Sequence, residues 1–505
     1  MWLFEVLLVL LVGAVVLTAL ARRLNLPYPS LLALGGTALA LFPSAPAFTI
    51  DPQLTLALFV APVLLDAAFD TSLRDLKRSW IPVTCLVVVA VGVTTIAVAY
   101  LARSMNPDIS WAAAIALGAI VAPPDAAAAT AVLRQLKIPH RMLIVLQGES
   151  LLNDATALLI YRLAVTAAVG ESFTGGTILR HTFALLFSVV AGFVLARLYL
   201  RVAGRLTDIS SSIVLQFAGT FGVWLFAERF ELSAIVTVVA YAITVARYSP
   251  RLIPAARRIP SYAVWDTVVF VLNVLAFVLI GLQLRPILAP LDPEVRTRYL
   301  QIAAAVLAMV VFIRFAWVMT YNRIAWLKVK LMGSGRWPGK EAPTLAGSTV
   351  VGWCGMRGIV TLAAAYALPA QFPQRDLIVL CAFCVVVGTL IVQGLTLRPL
   401  ILSLRLSDDG AVEEEVGLAH RKLEEVAQGI LDGDPSEVAH IVRDEFIPNQ
   451  AGGGRTVRDE RNELRARILA AQREALVDMR NDAEIGDDAF HLVEERLDRA
   501  EVSVE

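Results

Sequence analysis

Reactive side chains are scarce in this chain. Only four cysteines and five histidines occur in 505 residues. Cys85, Cys354, Cys381 and Cys384 all fall within apolar runs, and the C-x-x-C of Cys381 and Cys384 sits inside Leu380–Val387. That setting reads as packing, not as a redox or zinc pair. The histidines avoid the centres of the apolar runs, so a proton carrier there has to be a carboxylate. No H-E-x-x-H, no G-x-S-x-G and no recognisable soluble catalytic domain is found, which removes the usual zinc and serine hydrolase signatures. The expectation is a non-enzyme with no cofactor and no nucleic-acid partner. Charge is sparse too, at 17%, against 57% hydrophobic residues and a mean hydropathy of +0.68. A soluble protein of this length has too little interior for that much apolar side chain.

The net charge of zero conceals an asymmetry. The last hundred residues hold 12 Lys and Arg against 26 Asp and Glu, leaving 32 basic and 18 acidic residues before them. Two regions in different solvents are therefore expected: a membrane-spanning domain at 1–405 and an acidic helical tail at 406–505. The first breaks into apolar runs near 2–21, 30–48, 53–69, 80–102, 111–133, 141–169, 179–203, 211–228, 232–247, 262–284, 299–321, 344–368 and 377–402. Most are roughly 17–25 residues, the length a helix needs to cross a bilayer core. Backbone groups find no water in hydrocarbon and the runs do not alternate, so an all-α polytopic bundle of about 13 transmembrane helices is expected, not a barrel.

Orientation follows from the connections. Nineteen Lys and Arg residues, among them Arg22, Arg23, Arg74, Lys77, Arg78, Arg134, Lys137, Arg141, Arg257, Arg258, Arg336 and Lys340, lie on one side, against seven on the other. Positive charge stays in the cytoplasm, which puts the amino terminus outside and the tail inside. The first run has no basic n-region and no cleavage site, so it reads as a retained span.

Of the 18 acids before the tail, Asp66, Asp125, Glu149 and Asp154 lie well inside apolar spans. A charge at mid-membrane costs about 2.5–3.5 kcal/mol on insertion scales. Four such acids with few bases at the same depth suit a wet cation and proton path, because oxygen ligands replace the hydration shell of a hard cation. Two spans are also interrupted. The fifth reads Ala119-Ile-Val-Ala-Pro-Pro-Asp125; Pro123 and Pro124 remove backbone donors and must break it. The twelfth reads Gly352-Trp-Cys-Gly355-Met-Arg-Gly358, where glycine admits unwound backbone. With spans 1–6 and 8–13 as two inverted repeats and span 7 as linker, these discontinuous helices occupy matching positions, the sequence pointer to a midplane ion site. Asp125 and Arg357 can offset the half-helix dipoles. In Gly148-Glu-Ser-Leu-Leu-Asn-Asp154, Glu149 and Asn153 share one helical face, and Ser150 with Asp154 the adjacent one. Arg357 is the expected buried partner of Glu149.

Gly-Glu-Ser-Leu-Leu-Asn-Asp at 148–154 resembles the signature of the cation–proton antiporter 1 family, the sodium/proton exchangers, in its bacterial form. Leu24-Asn-Leu-Pro-Tyr-Pro-Ser30, Ala119–Ala129, Phe270–Gly281 and Trp353–Gly358 resemble further stretches of that family. The resemblance covers residues 1–405, and the acidic tail is similar to that of bacterial members. It implies that Asp154 takes either a proton or Na+, that Asn153 is the neutral residue of the electroneutral branch, and that Ser150 and Asp125 complete the ion shell. Asp154, Asp125 and Ser150 would then be the ligands of transported Na+. It also implies that Asp66 stands where relatives more often carry glutamate, one methylene longer, and that Pro124 replaces a threonine common elsewhere. Glu149 and Arg357 would be a structural salt bridge between spans 6 and 12. Proton and sodium then compete for one coupled site.

The reading is therefore a secondary transporter exchanging Na+, with Li+ or K+ as further candidates, for H+ by alternating access, with no net charge moved. The bacterial plasma membrane, contact with membrane lipid and a homodimer are further implications. A potassium/proton antiporter, a cation channel and a membrane receptor with an acidic output tail are the alternatives. Within the tail, Ala411–Ile430 and Val457–Arg480 read as solvated helices, with Gly452–Gly454 as a hinge.

Overall fold

The computed structural model describes residues 2–42, 51–69, 71–133, 136, 138–168, 175–332, 344–406, 410–432 and 455–502. Among them every regular element is helical: α1 Trp2–Leu24, α2 Tyr28–Ala40, α3 Gln53–Phe69, α4 Leu73–Arg78, α5 Trp80–Met105, α6 Trp111–Val121, α7 Ala126–Leu133, α8 His140–Ala168, α9 Gly175–Ala203 and α10 Ile209–Arg229. The series continues with α11 Ala234–Leu252, α12 Ala255–Leu282, α13 Leu284–Leu288, α14 Pro293–Met332, α15 Leu345–Trp353, α16 Ile359–Tyr366, α17 Arg375–Leu404, α18 Ala411–Asp432, α19 Arg455–Asn481 and α20 Asp487–Val502. Seven stretches of described residues are long and apolar enough to cross a membrane: Trp80–Met105, His140–Ala168, Phe183–Ala203, Ile209–Arg229, Ala255–Leu288, Pro293–Lys328 and Arg375–Leu404. The expected fifth and twelfth spans are each two short helices, α6 with α7 and α15 with α16. Of the basic loop residues used to orient the chain, Arg134, Lys137, Arg336 and Lys340 lie outside the described residues, as does the Gly452–Gly454 hinge.

Local chemistry explains where helices start. Ser110, Asp208, Ser233 and Thr344 cap α6, α10, α11 and α15 by accepting from backbone N–H groups three residues on, which satisfies donors the first turn leaves open. Two helices carry a wider turn, Leu56–Val60 in α3 and Cys85–Ala90 in α5, a feature that often accompanies functional helices.

The buried apolar residues form two main clusters. The larger joins α1, α2, α5, α6, α12 and α14 to α17. The smaller joins α3, α9, α10, α11 and the first half of α12. The α2–α12 contact is unusually close. Gly36 faces the Val278 carbonyl and Gly281 faces the Ala33 carbonyl and Thr37 nitrogen, so a Cβ on either glycine would overlap backbone. Small residues permit this approach where two backbones pack directly.

The tail corrects one expectation. Its helices are not merely solvated: α18, α19 and α20 bury Leu423, Leu476, Val477, Phe490 and Val493 in their own core, and they dock on the bundle. Arg258, at the start of α12, is buried with Glu494 and with Asp498, the latter at 2.5 Å. Arg473 reaches the same Asp498 oxygen at 2.8 Å. The His491 ring stacks on Phe69 at 6.0 Å, His140 Nδ1 lies 3.3 Å from Asp488, and Arg74 meets Glu415 at 2.5 Å.

Candidate functional site

The two interrupted helices meet. After Val121 the chain runs unwound through Ala122, Pro123, Pro124 and Asp125 before α7, and after Trp353 it does the same through Cys354–Gly358. The Asp125 N–H donates to the Met356 carbonyl at 2.7 Å, so one break is bonded to the other. Gly358 packs against the Asp125 carboxylate so closely that a Cβ there would occupy its position. Asp125 thereby faces the start of α16, the end of a helix that favours negative charge.

Arg357 is fully buried and works on backbone. Its Nε donates to Val121 O and its Nη2 to Ala122 O, both at 3.1 Å, and Nη1 donates to Gly355 O. Its own N–H is taken by Thr389 Oγ1 at 3.0 Å. The guanidinium thus satisfies carbonyls left open where α6 ends, at the negative end of that helix. This corrects the expected Glu149–Arg357 salt bridge. Glu149 instead accepts from Arg314 of α14, with Nη1–Oε1 at 2.5 Å and Nη2–Oε2 at 3.0 Å, and Arg314 also donates to Val351 O at 3.0 Å. Two parallel hydrogen bonds to one carboxylate are the geometry a guanidinium suits best. The pair joins α8 to α14 and, through Val351, to α15.

Asn153 is completely buried, and its Nδ2 donates to the Pro124 carbonyl at 2.9 Å. The amide therefore secures a carbonyl that the unwound segment leaves without a helical partner. The next residue, Asp154, is 8% exposed and close enough to Asp125 for the two charges to interact.

Asp154, Asp125 and Ser150 line a cavity of about 430 Å³, together with Pro123, Pro124 and Gly358 from the breaks. Its other wall is Asp66 with Phe59 and Val63 of α3, and one face of α12 carrying Asp266, Phe270 and Asn273. The cavity thus lies on the seam between the two apolar clusters. A second cavity of about 420 Å³, lined by Thr55, Gln283, Tyr366, Arg375 and Asp376, shares Phe59 and Ile359 with the first. Among the described residues no three His, Cys, Asp or Glu side chains converge as they would on a resident metal ion. All five expected ion-path positions are thus near one another: four line the cavity, and Asn153 lies behind it.

Sequence reasoning missed Arg314 and Asp266. Arg314 was visible as a lone base deep in an apolar run, the kind of residue that needs a named partner. Asp266 was visible through its spacing to Phe270 and Asn273, which places all three on one helical face.

A family profile described as "Sodium/hydrogen exchanger, transmembrane" matches residues 7–403. The chain is 29% identical over 537 residues to a protein of Mycobacterium tuberculosis named as an uncharacterized Na(+)/H(+) exchanger, covering 99% of this chain and 96% of that one. It is 28% identical over 506 residues to the sodium, potassium, lithium and rubidium/H(+) antiporter of Bacillus subtilis, covering 94% and 74%. Among solved structures, the sodium proton antiporter MjNhaP1 of Methanocaldococcus jannaschii superposes with a TM-score of 0.59 at 17% identity, covering 79% of this chain and 98% of that one.

Proposed function

The chain belongs to the sodium/hydrogen exchanger family, and from that premise we propose that it exchanges Na+ for H+ at Asp154 by alternating access, without moving net charge. The observation that carries this reading is the placement of Asp154 beside Asp125 at the crossing of two unwound segments, at the end of a cavity. A proton on Asp154 or a cation against it neutralises the same charge, so the two compete for one coupled pair of carboxylates. Ser150 supplies a neutral oxygen on the same helical face. Asn153 adds no charge and holds the Pro124 carbonyl in place, which supports one proton for one cation. Phe59 and Ile359, common to both cavities, are the natural septum between the two sides of the membrane.

The same reading extends to thirteen spans in two inverted repeats, with residues 1–405 in the bacterial plasma membrane, the amino terminus outside and the tail at 406–505 cytoplasmic. Basic connections on the tail side support that orientation. A homodimer is part of the proposal. Potassium stays a second candidate cation because the Bacillus subtilis relative is named for sodium, potassium, lithium and rubidium.

The test is a dequenching assay in proteoliposomes with an imposed acid interior, adding Na+, Li+ or K+ to the parent chain and to Asp154→Asn. Proton efflux that needs a cation, disappears in Asp154→Asn and ignores a valinomycin-clamped voltage is expected. Gly358→Ala, whose methyl group would displace the Asp125 carboxylate, is expected to lose most of the same signal. No efflux with any cation, from folded protein across a range of pH, would sink the proposal.

A further inference from the structure

A smaller recess opens at the end of the bundle where the C-terminal helices dock, away from the acidic cavity. It has about 290 Å³ and lies between α5, α8, α14 and α15. Its two ends differ. Leu86, Val145, Val318 and Val351 form the deep part, while Arg141, Tyr321, Thr344 and Ser348 form the rim. The chain directions require this split: Arg141 is the second residue of α8 and Thr344 caps α15, whereas Val145 and Val351 lie one or two turns further in. The rim is organised, since Asn322 Nδ2 donates to Ser348 Oγ at 2.5 Å and to Thr344 O at 3.2 Å. The acidic cavity is lined by four aspartates, but among the described residues lining this recess there is Arg141 and no acidic side chain. Arg141 is close enough to Tyr321, and Lys328 to Cys85, for their charges to act there.

The adjoining surface belongs at headgroup depth. On the last turns of α14, Arg323 and Lys330 sit over the Trp326 ring at 5.3 and 5.0 Å, and Ile324, Trp326 and Leu327 are exposed. A Trp flanked by bases on an apolar surface is the composition of a membrane–water boundary. An apolar hole with a basic, hydroxyl-bearing rim at that boundary matches an amphiphile whose chain goes in and whose anionic head stays at the edge.

We propose that this recess binds an anionic phospholipid of the leaflet on the tail side. One acyl chain enters between α8 and α15, and the phosphate sits at Arg141 and Tyr321 with Lys328 nearby. A water-soluble anion would leave the valine-lined depth unfilled. The bound chain would brace the helices that carry Glu149 and Val351, both joined to Arg314. That this leaflet is the cytoplasmic one rests on the orientation proposed above; the binding itself does not depend on which ion is exchanged.

The experiment uses the full chain in detergent micelles containing phosphatidylglycerol and phosphatidylcholine with identical acyl chains, read by native mass spectrometry and by melting temperature. One phosphatidylglycerol is expected to be retained in preference to phosphatidylcholine and to raise the melting temperature. Arg141→Gln should cut that preference about fivefold, the size of one basic contact at a membrane surface, while Arg141→Lys keeps most of it. Val318→Trp, which fills the recess, should abolish retention; Val145→Phe serves if that variant melts low. Equal retention of the two lipids would overturn the proposal, as would a well-folded Val318→Trp that still holds phosphatidylglycerol. Displacement of the lipid by millimolar glycerol phosphate alone would make this a soluble-anion site and also overturn it.

Discussion

Two arginines, Arg314 and Arg258, are almost completely removed from solvent, at 4% and 2% side-chain exposure, and each is paired with buried carboxylate. Arg314 lies within the apolar bundle, where releasing Glu149 would leave both groups in hydrocarbon or protein. Arg258 lies where the tail meets the bundle, and undocking would return Arg258, Glu494 and Asp498 to water. The contacts are alike, but the states they compete against are not. A buried pair is therefore measured by what each partner meets once the pair is broken.

The comparison breaks most sharply at Glu149. Glu149→Gln leaves Arg314 buried without a counter-charge and should destabilise the bundle by about 3–5 kcal/mol, read as a lower melting temperature in detergent. Replacing both partners, Glu149→Leu with Arg314→Leu, should recover most of that loss; a double variant as unstable as the single one would show that the pair does more than neutralise itself. Arg258→Ala should have a smaller effect, because the stranded Glu494 and Asp498 can escape by undocking. Faster amide exchange across α18–α20, with exchange in α14 and α17 unchanged, is the expected pattern. A melting shift of the whole bundle as large as that of Glu149→Gln would erase the distinction drawn here.

Acidification sharpens the same contrast more gently. Burial alone would raise Asp75, but nearby His140, the Ser72 hydrogen bond and the Arg74 charge bring it down to about 2. Burial also opposes ionisation of Glu494, yet His491, Arg258 and Arg473 hold it below the usual range. The groups that lower Asp75 all belong to the bundle, so its carboxylate supports that fold and not the docking. Glu494, held low by Arg258 across the interface, contributes docking stability that is full above its free value, near 4, and is lost as pH falls through its docked value. Asp498 runs the other way: burial and the Glu494 charge raise it despite Arg258 and Arg473, so its protonation favours the docked form as pH falls. Glu494 and Asp498 thus oppose each other, and the loss of tail protection below about pH 4, read by pulsed amide exchange, should be flattened by Glu494→Gln and left in place by Asp75→Asn. The smallest effect belongs to Arg251, paired with Asp478 at 2.6 Å with both side chains about half exposed. Arg251→Ala should cost less than about 1 kcal/mol of docking, measured by the same exchange.

Depth was legible in the sequence, and direction around a helix was not. Proline pairs, glycines and acids inside apolar runs are rare enough in a membrane to mark both breaks and the Asp154 neighbourhood. The partner of Glu149 depends on which way α8 is rotated and which helix lies beside it, and that is settled by packing across the bundle. Arg357 and Arg314 sit at similar depth, so pairing by depth alone chose the wrong one. Asp266 was overlooked for a related reason: near the end of a run an acid resembles a loop residue until the opposite wall is known. The tail taught a third lesson. The apolar stripe of α18 announces that one face is covered, but the cover comes from α19 and α20, far along the chain.

The glycine contact between α2 and α12 bears on what moves. Layers that slide past each other need side chains that can interleave in more than one register, like teeth that can skip a notch. Where the Gly36 and Gly281 backbones touch directly, there are no teeth, and any slip drives carbonyl into carbonyl. The α2–α12 seam is therefore a weld. On the alternating access proposed above, the wall carrying Asp266, Phe270 and Asn273 would stay with α2 as a fixed stator, and the changing gap would open along its other side, where α12 faces the crossed breaks across the cavity.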